Sequence, residues 1–338
     1  MLAFIPLLLH AVRGRAVEAA GLPLDAPVPD AVPAGTTLVV GDPLTQKVLQ
    51  HTGWLKELPF RVQFAQISGG PGVTEAFQAR ALDVGSAANI PPIHAIWVGI
   101  PAKIVAFRFR KEPLRYPLYA IGVSAKSGVT KLADLKGKRI AYSPGQAQGY
   151  VVLRTLAHAG ISPKDVTLVD LPAAADTYMG ALAANEVDAA PIGAGLQAHR
   201  YLEKYGHDGA KVLPHGAFRD DPGILYVRDE TLRDPAKAAA IKQYVRLWAR
   251  AQRWIDDHPR EWADLYYVKD QGVSPADAAL IIRETGPSDI VSNWNDAIAF
   301  QQETVNFMAQ EMNRHPFDAH QIFDRRFERV AAGAVAAR

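Results

Sequence analysis

The strongest constraint on this chain is a repeated local order. Short apolar runs of three to five residues end in loops of Gly, Pro, Ser, Asn or Gln, and each loop opens a segment with apolar residues at helical spacing. Leu38-Val39-Val40 reads as a buried strand, the turn Gly41-Asp42-Pro43 follows, and Leu44, Val48 and Leu49 then share one helix face. Phe60 to Phe64 is a strand, the loop 66–72 follows, and Val73, Ala76 and Phe77 keep helical spacing. Leu82 to Gly85 is a strand closed by Ser86 to Asn89, and Pro91 leads a helix through Ile96. Lys103 to Phe107 and Leu118 to Val123 are further strands. Such alternation predicts mainly parallel sheets covered by helices on both faces.

The same order starts again near Ser124. Strands are expected at 139–141, 166–169 and 187–190, with a loop at 144–149 and helices at 150–158 and 176–184. The chain returns through Ile224 to Val227 and then turns helical, over 235–257, 260–269, 275–284 and 295–313. No repeat of 20–50 residues is present, which excludes a solenoid. At 338 residues the chain suits two domains of about 150 residues each.

Charge and composition exclude several classes. Net charge is +2, with no long basic run, which argues against nucleic acid. No apolar stretch reaches the roughly 18 residues of a spanning helix. Cysteine is absent, which removes disulfides, thiolate nucleophiles, Fe–S clusters and a lipid-anchoring cysteine together. Residues 1–12 are apolar, but Arg13 and Arg15 follow the run instead of preceding it, so the segment is either an atypical signal or a packed helix or tail. Residues 22–35 carry four prolines and read as an extended linker.

In a parallel α/β sheet the strand-to-helix loops lie where ligands bind, and their free N–H groups favour anions. Four such loops, 41–45, 66–72, 86–91 and 144–150, offer neutral donors in place of an acid–base pair. That is the profile of a binding cleft, with no catalytic residue assigned and no cofactor implied. Gly69-Gly70-Pro71-Gly72 lacks the third glycine of a dinucleotide fingerprint. Asp42 either binds a cationic group or caps the helix after it. Asp220-Asp221 reads as a turn before the returning strand, and His315, Asp318, His320 and Asp324 as a solvated face, so no metal site is assigned.

Asp83 to Pro92 (DVGSAANIPP) resembles the D-F-G-x-x-G-D-x-P-P stretch of the sulfonate, nitrate and taurine substrate-binding proteins of ABC importers. Asp134 to Ala141 (DLKGKRIA) is similar to their D-L-K-G-K-x-I-A segment, and Ser68-Gly69, Glu186 to Ala189 and the helical tail match in order. The resemblance implies a two-lobed α/β periplasmic-binding-protein fold, with mixed sheets flanked by helices and a helical C-terminal region. Lobe one would hold 36–121 plus 222–338 and lobe two 122–221, after an N-terminal segment 1–35. Hinge crossings would fall near 120–124 and 217–225, and closure would trap the ligand.

Ligand contacts implied by the resemblance are Asp42, Pro43, Ser68, Gly69, Ala88 and Asn89 from lobe one. Gln146, Gln148, Gly149, Tyr150, Asp176, Thr177 and Gly193 would come from lobe two. Departures from the family pattern include Ala88-Asn89 for Gly-Asp, and Gly193-Ala194-Gly195 for an aromatic-acid-proline segment, which should reshape the cleft. The implied protein is a periplasmic monomer that delivers a small, anionic, sulfonate-like or bulkier molecule to a membrane permease. The alternatives are an enzyme on the same scaffold, resembling a thiamine-pyrimidine synthase or an aromatic sulfinate desulfinase, or a cytoplasmic ligand sensor. Both enzyme families lean on cysteines that this chain lacks.

Overall fold

The structure is a computed structural model that describes residues 21–67, 69–173 and 176–336. The expectations for residues 1–20 and for Ser68 lie outside the described residues. Eleven strands form two sheets among the described residues. In the first, β1 (Thr37–Gly41), β2 (Arg61–Phe64), β3 (Val84–Ala88), β4 (Ala102–Arg110), β10 (Gly223–Arg228) and β11 (Ser288–Asp289) lie in the order β11-β4-β10-β3-β1-β2. In the second, β5 (Tyr119–Val123), β6 (Arg139–Tyr142), β7 (Thr167–Asp170), β8 (Ala189–Gly193) and β9 (Lys211–Pro214) lie in the order β7-β6-β8-β5-β9.

Both sheets are mixed, which corrects the mainly parallel expectation drawn from the alternation. β1 pairs parallel with β2 and β3, but β10 enters antiparallel between β3 and β4. β6 pairs parallel with β7 and β8, and β5 lies antiparallel between β8 and β9. Each sheet is thus a parallel trio extended by antiparallel pairing, in the first sheet to β10, which arrives from beyond the second sheet, and in the second to β5, which precedes its trio in the chain. Local periodicity carries no sign of that arrival, because direction is set by where the connection crosses.

The helices are α1 (Pro43–Thr52), α2 (Gly70–Gln78), α3 (Ile90–Trp97), α4 (Ala147–His158), α5 (Thr177–Ala183) and α6 (Leu196–Tyr205). They are followed by α7 (Asp229–Arg233), α8 (Pro235–Asp257), α9 (Pro259–Trp262), α10 (Pro275–Arg283), α11 (Asn295–Glu311) and α12 (Val330–Ala336). The 260–269 helix expected from sequence is instead α9 followed by a π-helix over Ala263–Val268. No described helix is long and apolar enough to cross a membrane. Residues 22–35 are the non-regular stretch that the prolines predict, yet they lie against the body. Val28 is buried in the core, and Arg326 donates to the carbonyls of Pro23 and Ala26.

The chain passes from the first sheet to the second between Arg110 and Tyr119 and returns between Pro214 and Gly223. The expected first crossing, 120–124, therefore falls on β5 itself. The return is a polar knot. Asp220 is buried and accepts from the backbone N–H of Leu118 (3.0 Å) and Tyr119 (2.7 Å) and pairs with His215 Nε2 (3.0 Å). Asp221, fully buried, accepts from the N–H of Arg110 (2.6 Å) and from two nitrogens of Arg219 (2.8 Å each). Asp220 ties its own crossing to the start of β5, and Asp221 ties it to the end of β4. One aspartate pair thereby fastens both crossings, a stronger role than the turn read from sequence.

Candidate functional site

The carboxyl ends of β1, β2 and β3 open onto the N-termini of α1, α2 and α3, and the β6–α4 loop of the second sheet comes down on them. The meeting point is explicit. A Cβ added at Gly70, the first residue of α2, would collide with Gln146 Oε1 and with Pro91. A Cβ at Gly145, which adopts φ +71, would strike the His94 ring on α3. Both glycines are therefore required by close approach, and at Gly145 by conformation as well. Gly69, at φ +76, caps α2 with open space where a side chain would stand.

Gln146 is 94 % buried (6 % exposed), and its side-chain amide makes no hydrogen bond among the described residues. Neither of its amide atoms is among the side-chain atoms sealed from solvent without a partner, so the group is free to bond an incoming molecule. Its oxygen rests at a helix N-terminus, where backbone N–H groups favour negative charge. Gln148 lines a cavity of about 50 Å³ with Ala173, Tyr178, Met179, Pro191 and Gln197. Gly193 donates its N–H to Gln197 Oε1 (2.6 Å). Gly149 lies against the Ser143 carbonyl so closely that a Cβ there would clash, so its lack of a side chain lets α4 start over that carbonyl.

On the first sheet's side the expected contacts are largely committed to other groups. Asp42 is buried, accepts from the Thr45 N–H (3.4 Å) as the cap of α1, and accepts from the Tyr244 hydroxyl (3.2 Å). Of the two readings left open by sequence, its hydrogen bonds are those of the cap. Burial pushes its carboxyl above the ordinary range, against the pull of those bonds and of Arg108. Asn89 donates to Gln301 Oε1 (2.9 Å), while Gln301 Nε2 donates to the Asn89 carbonyl (2.8 Å), a reciprocal bracket to α11. Pro43 is exposed at the start of α1 and Ala88 is half-buried.

Tyr150 is buried, edge-on to Phe218 and Phe307 with Arg154 nearby, so it joins the second sheet's α4 to α11 by packing. Asp176 is exposed and, with Arg200, Glu203 and Lys204, lines a groove of about 690 Å³ between α5 and α6, while Thr177 begins α5. The structure brings Gln146 to Gly70, the neighbour of Gly69, and Ala88 ends β3 two residues before α3 begins. It places Asp176 on a different surface. His94 at that point is held below the ordinary histidine pKa by burial and by Arg314.

Two residues in register with the expected contacts were not among the sequence candidates. Arg108 on β4 pairs in register with Gly223, which pairs in turn with Ala88. Opposite residues in a ladder point to one face, so Arg108 and Ala88 share a face on either side of Gly223. Burial lowers its pKa to about 10, with Arg110 lowering it further and Asp256, Asp221 and Asp42 opposing, and yet the residue keeps part of its surface open. Tyr119 on β5 stands opposite Gly193 in the same way, its hydroxyl pKa raised by burial, then by Asp220 and Tyr178. The available signal was the run Phe107-Arg108-Phe109-Arg110, which places arginine inside an otherwise apolar strand.

Residues 48–262, well over half of the chain, match the family described as NMT1/THI5 like. The chain is 27 % identical over 268 residues to a Bacillus subtilis (strain 168) protein provisionally named for aliphatic sulfonate binding, covering 77 % of this chain and 76 % of that one. It superposes with TM-score 0.70 and 22 % identity on the alkanesulfonate-binding protein SsuA from Xanthomonas axonopodis pv. citri bound to MOPS, over 90 % of this chain and 98 % of that one. The periplasmic aliphatic sulphonate binding protein SsuA from Escherichia coli superposes with TM-score 0.66 and 20 % identity, over 85 % and 91 %. These two structures bear out the two-sheet periplasmic-binding-protein fold.

Proposed function

The chain belongs to the NMT1/THI5-like family, and from that premise we propose that it is the solute-binding component of an ABC importer. It takes a small anionic organic molecule between the first and second sheets and passes it to a membrane permease. The sheets act as lobes, the first with the helical tail and the second from β5 to β9, hinged at 111–118 and 215–222. The molecule works as a periplasmic monomer and binds without turnover.

The observation that carries this reading is the seat of Gln146. Gln146 of the second sheet, a buried residue whose amide makes no hydrogen bond among the described residues, is pressed onto the N-terminus of α2 from the first. A ligand between them meets donors of both lobes only when the lobes are together, and this is how closure becomes ligand-dependent. The names of the relatives support the ligand class, since all three are named for binding sulfonates.

The test is a thermal-shift screen of the full chain against alkanesulfonates, arylsulfonates, nitrate, carboxylates and phosphonates. A ligand at 100 times its Kd stabilises the fold by about 2.7 kcal/mol. A stabilising sulfonate recovered unchanged supports the proposal. A hit that is consumed makes the protein an enzyme, and no stabilisation by any anion contradicts the reading.

A further inference from the structure

None of the five N–H donors of the Arg108 guanidinium makes a hydrogen bond among the described residues, and the residue keeps part of its surface open. Its surroundings are crowded but not occupied by a partner. The Gly223 position holds the guanidinium at a distance where an added Cβ would meet Cζ, Nε and Nη2 at 3.1–3.2 Å. On the far side of Gly223 stands Ala88, and the chain from Ala88 leads through Asn89 to Pro91, which touches the same point at Gly70 as Gln146. The cation thus lies on the row that ends at the meeting point of the two sheets.

The carboxylates around Arg108 do not use its donors. Asp42 is satisfied by Thr45 and Tyr244, Asp221 by Arg110 N–H and Arg219, and Asp256 accepts from the Ser288 N–H at 2.9 Å. A guanidinium with unfilled donors at a half-buried position is suited to a planar or tetrahedral oxyanion that accepts two N–H bonds at once. We propose that Arg108 selects the ligand's negative charge, and that Gly223, by lacking a side chain, sets the guanidinium in position. This rests on the solute-binding reading above and names the group that decides charge within that site. The sequence reading had assigned the anion to neutral donors alone.

The experiment is calorimetric titration of the full chain and of Arg108→Gln, Arg108→Lys and Gly223→Ala with 1-propanesulfonate and with the uncharged propyl methyl sulfone, at low and high salt. The expected result is a loss of about 30-fold or more in sulfonate affinity for Arg108→Gln, with sulfone affinity unmoved. Arg108→Lys, which keeps the charge and loses the fork, falls between the two. Gly223→Ala, which pushes the guanidinium aside, loses roughly tenfold, a displacement worth about one hydrogen bond. Wild-type affinity for the sulfonate falls with salt, and that of Arg108→Gln does not.

A role confined to balancing Asp42, Asp221 and Asp256 would lower the melting temperature of Arg108→Gln and leave its affinity unchanged. That result overturns the assignment while the solute-binding reading stands. Should Arg108→Gln fail to fold, Gly223→Ala decides, and wild-type affinity in that variant overturns the assignment. A wild-type chain that binds no sulfonate overturns both.

Discussion

The two sides of the crevice are built on opposite plans. On the first sheet's side the expected contacts are largely engaged, Asp42 with Thr45 and Tyr244, Asn89 with Gln301 and Asp221 with Arg219, while the Arg108 guanidinium makes no hydrogen bond among the described residues. On the second sheet's side the amides of Gln146 and Gln148 make no hydrogen bonds among the described residues, although Gln146 is buried. The first side is a braced seat, in which a charge is fixed before any ligand arrives. The second offers neutral groups whose partner has still to be supplied. Preorganisation of that kind lowers the ordering cost of binding on one side only. Charge selection then belongs to the first lobe, and fit to the ligand's body to the second.

Removing a bracing residue should therefore damage stability, and removing an unbonded one should damage binding. Gln301→Ala leaves the buried Asn89 amide and carbonyl without partners and is expected to cost about 1–3 kcal/mol, read as a lower urea midpoint. Gln146→Ala is expected to leave the midpoint unchanged and to weaken sulfonate binding by up to about tenfold. The reverse pattern, stability lost at Gln146 and binding lost at Gln301 with the fold intact, would break the comparison.

The smallest effect is at Asp42. Burial raises its folded-state pKa above 3.8, its ordinary value. Between those two values the folded chain binds more protons than the unfolded one, so stability at this site grows as pH falls through the raised value and levels off below the ordinary one. Asp42→Asn keeps a capping oxygen and cannot titrate. Its urea midpoint should match or slightly exceed that of wild type at pH 7 and lose that advantage as the pH is lowered. A midpoint difference that does not change with pH would show that the carboxylate is not penalised by burial.

Much of this architecture is legible in the sequence, because helix and strand periodicities are local. The Pro235–Asp257 helix and the loops at 41–45 and 86–91 are examples, with the cap as one of two readings of Asp42. What was not legible is non-local. The insertion of β10 between β3 and β4 brings Gly223 against residues more than a hundred positions earlier. The Asn89–Gln301 bracket spans 212 residues. Such pairings leave no spacing for a motif to show. Gln146 was named from its loop, but its burial without a partner and its seat on Gly70 could be found only in three dimensions. The short edge strands β9 and β11 and helix α6 were also passed over. A two-residue strand such as Ser288–Asp289 offers no alternation to detect.

The central claim, that one ligand is gripped by both sheets at the Gln146–Gly70 contact, is tested most directly by Gly70→Ala. The added methyl stands where Gln146 and Pro91 already lie and holds the two sides apart. Because it also meets the Pro91 ring on its own side, a somewhat lower urea midpoint is expected, and affinity is read well below it, on folded protein. Calorimetric titration with 1-propanesulfonate should show one saturable site in the wild-type chain and at least a tenfold loss in Gly70→Ala. Wild-type affinity in Gly70→Ala would mean that the ligand is held elsewhere and that the contact between the sheets has no part in binding.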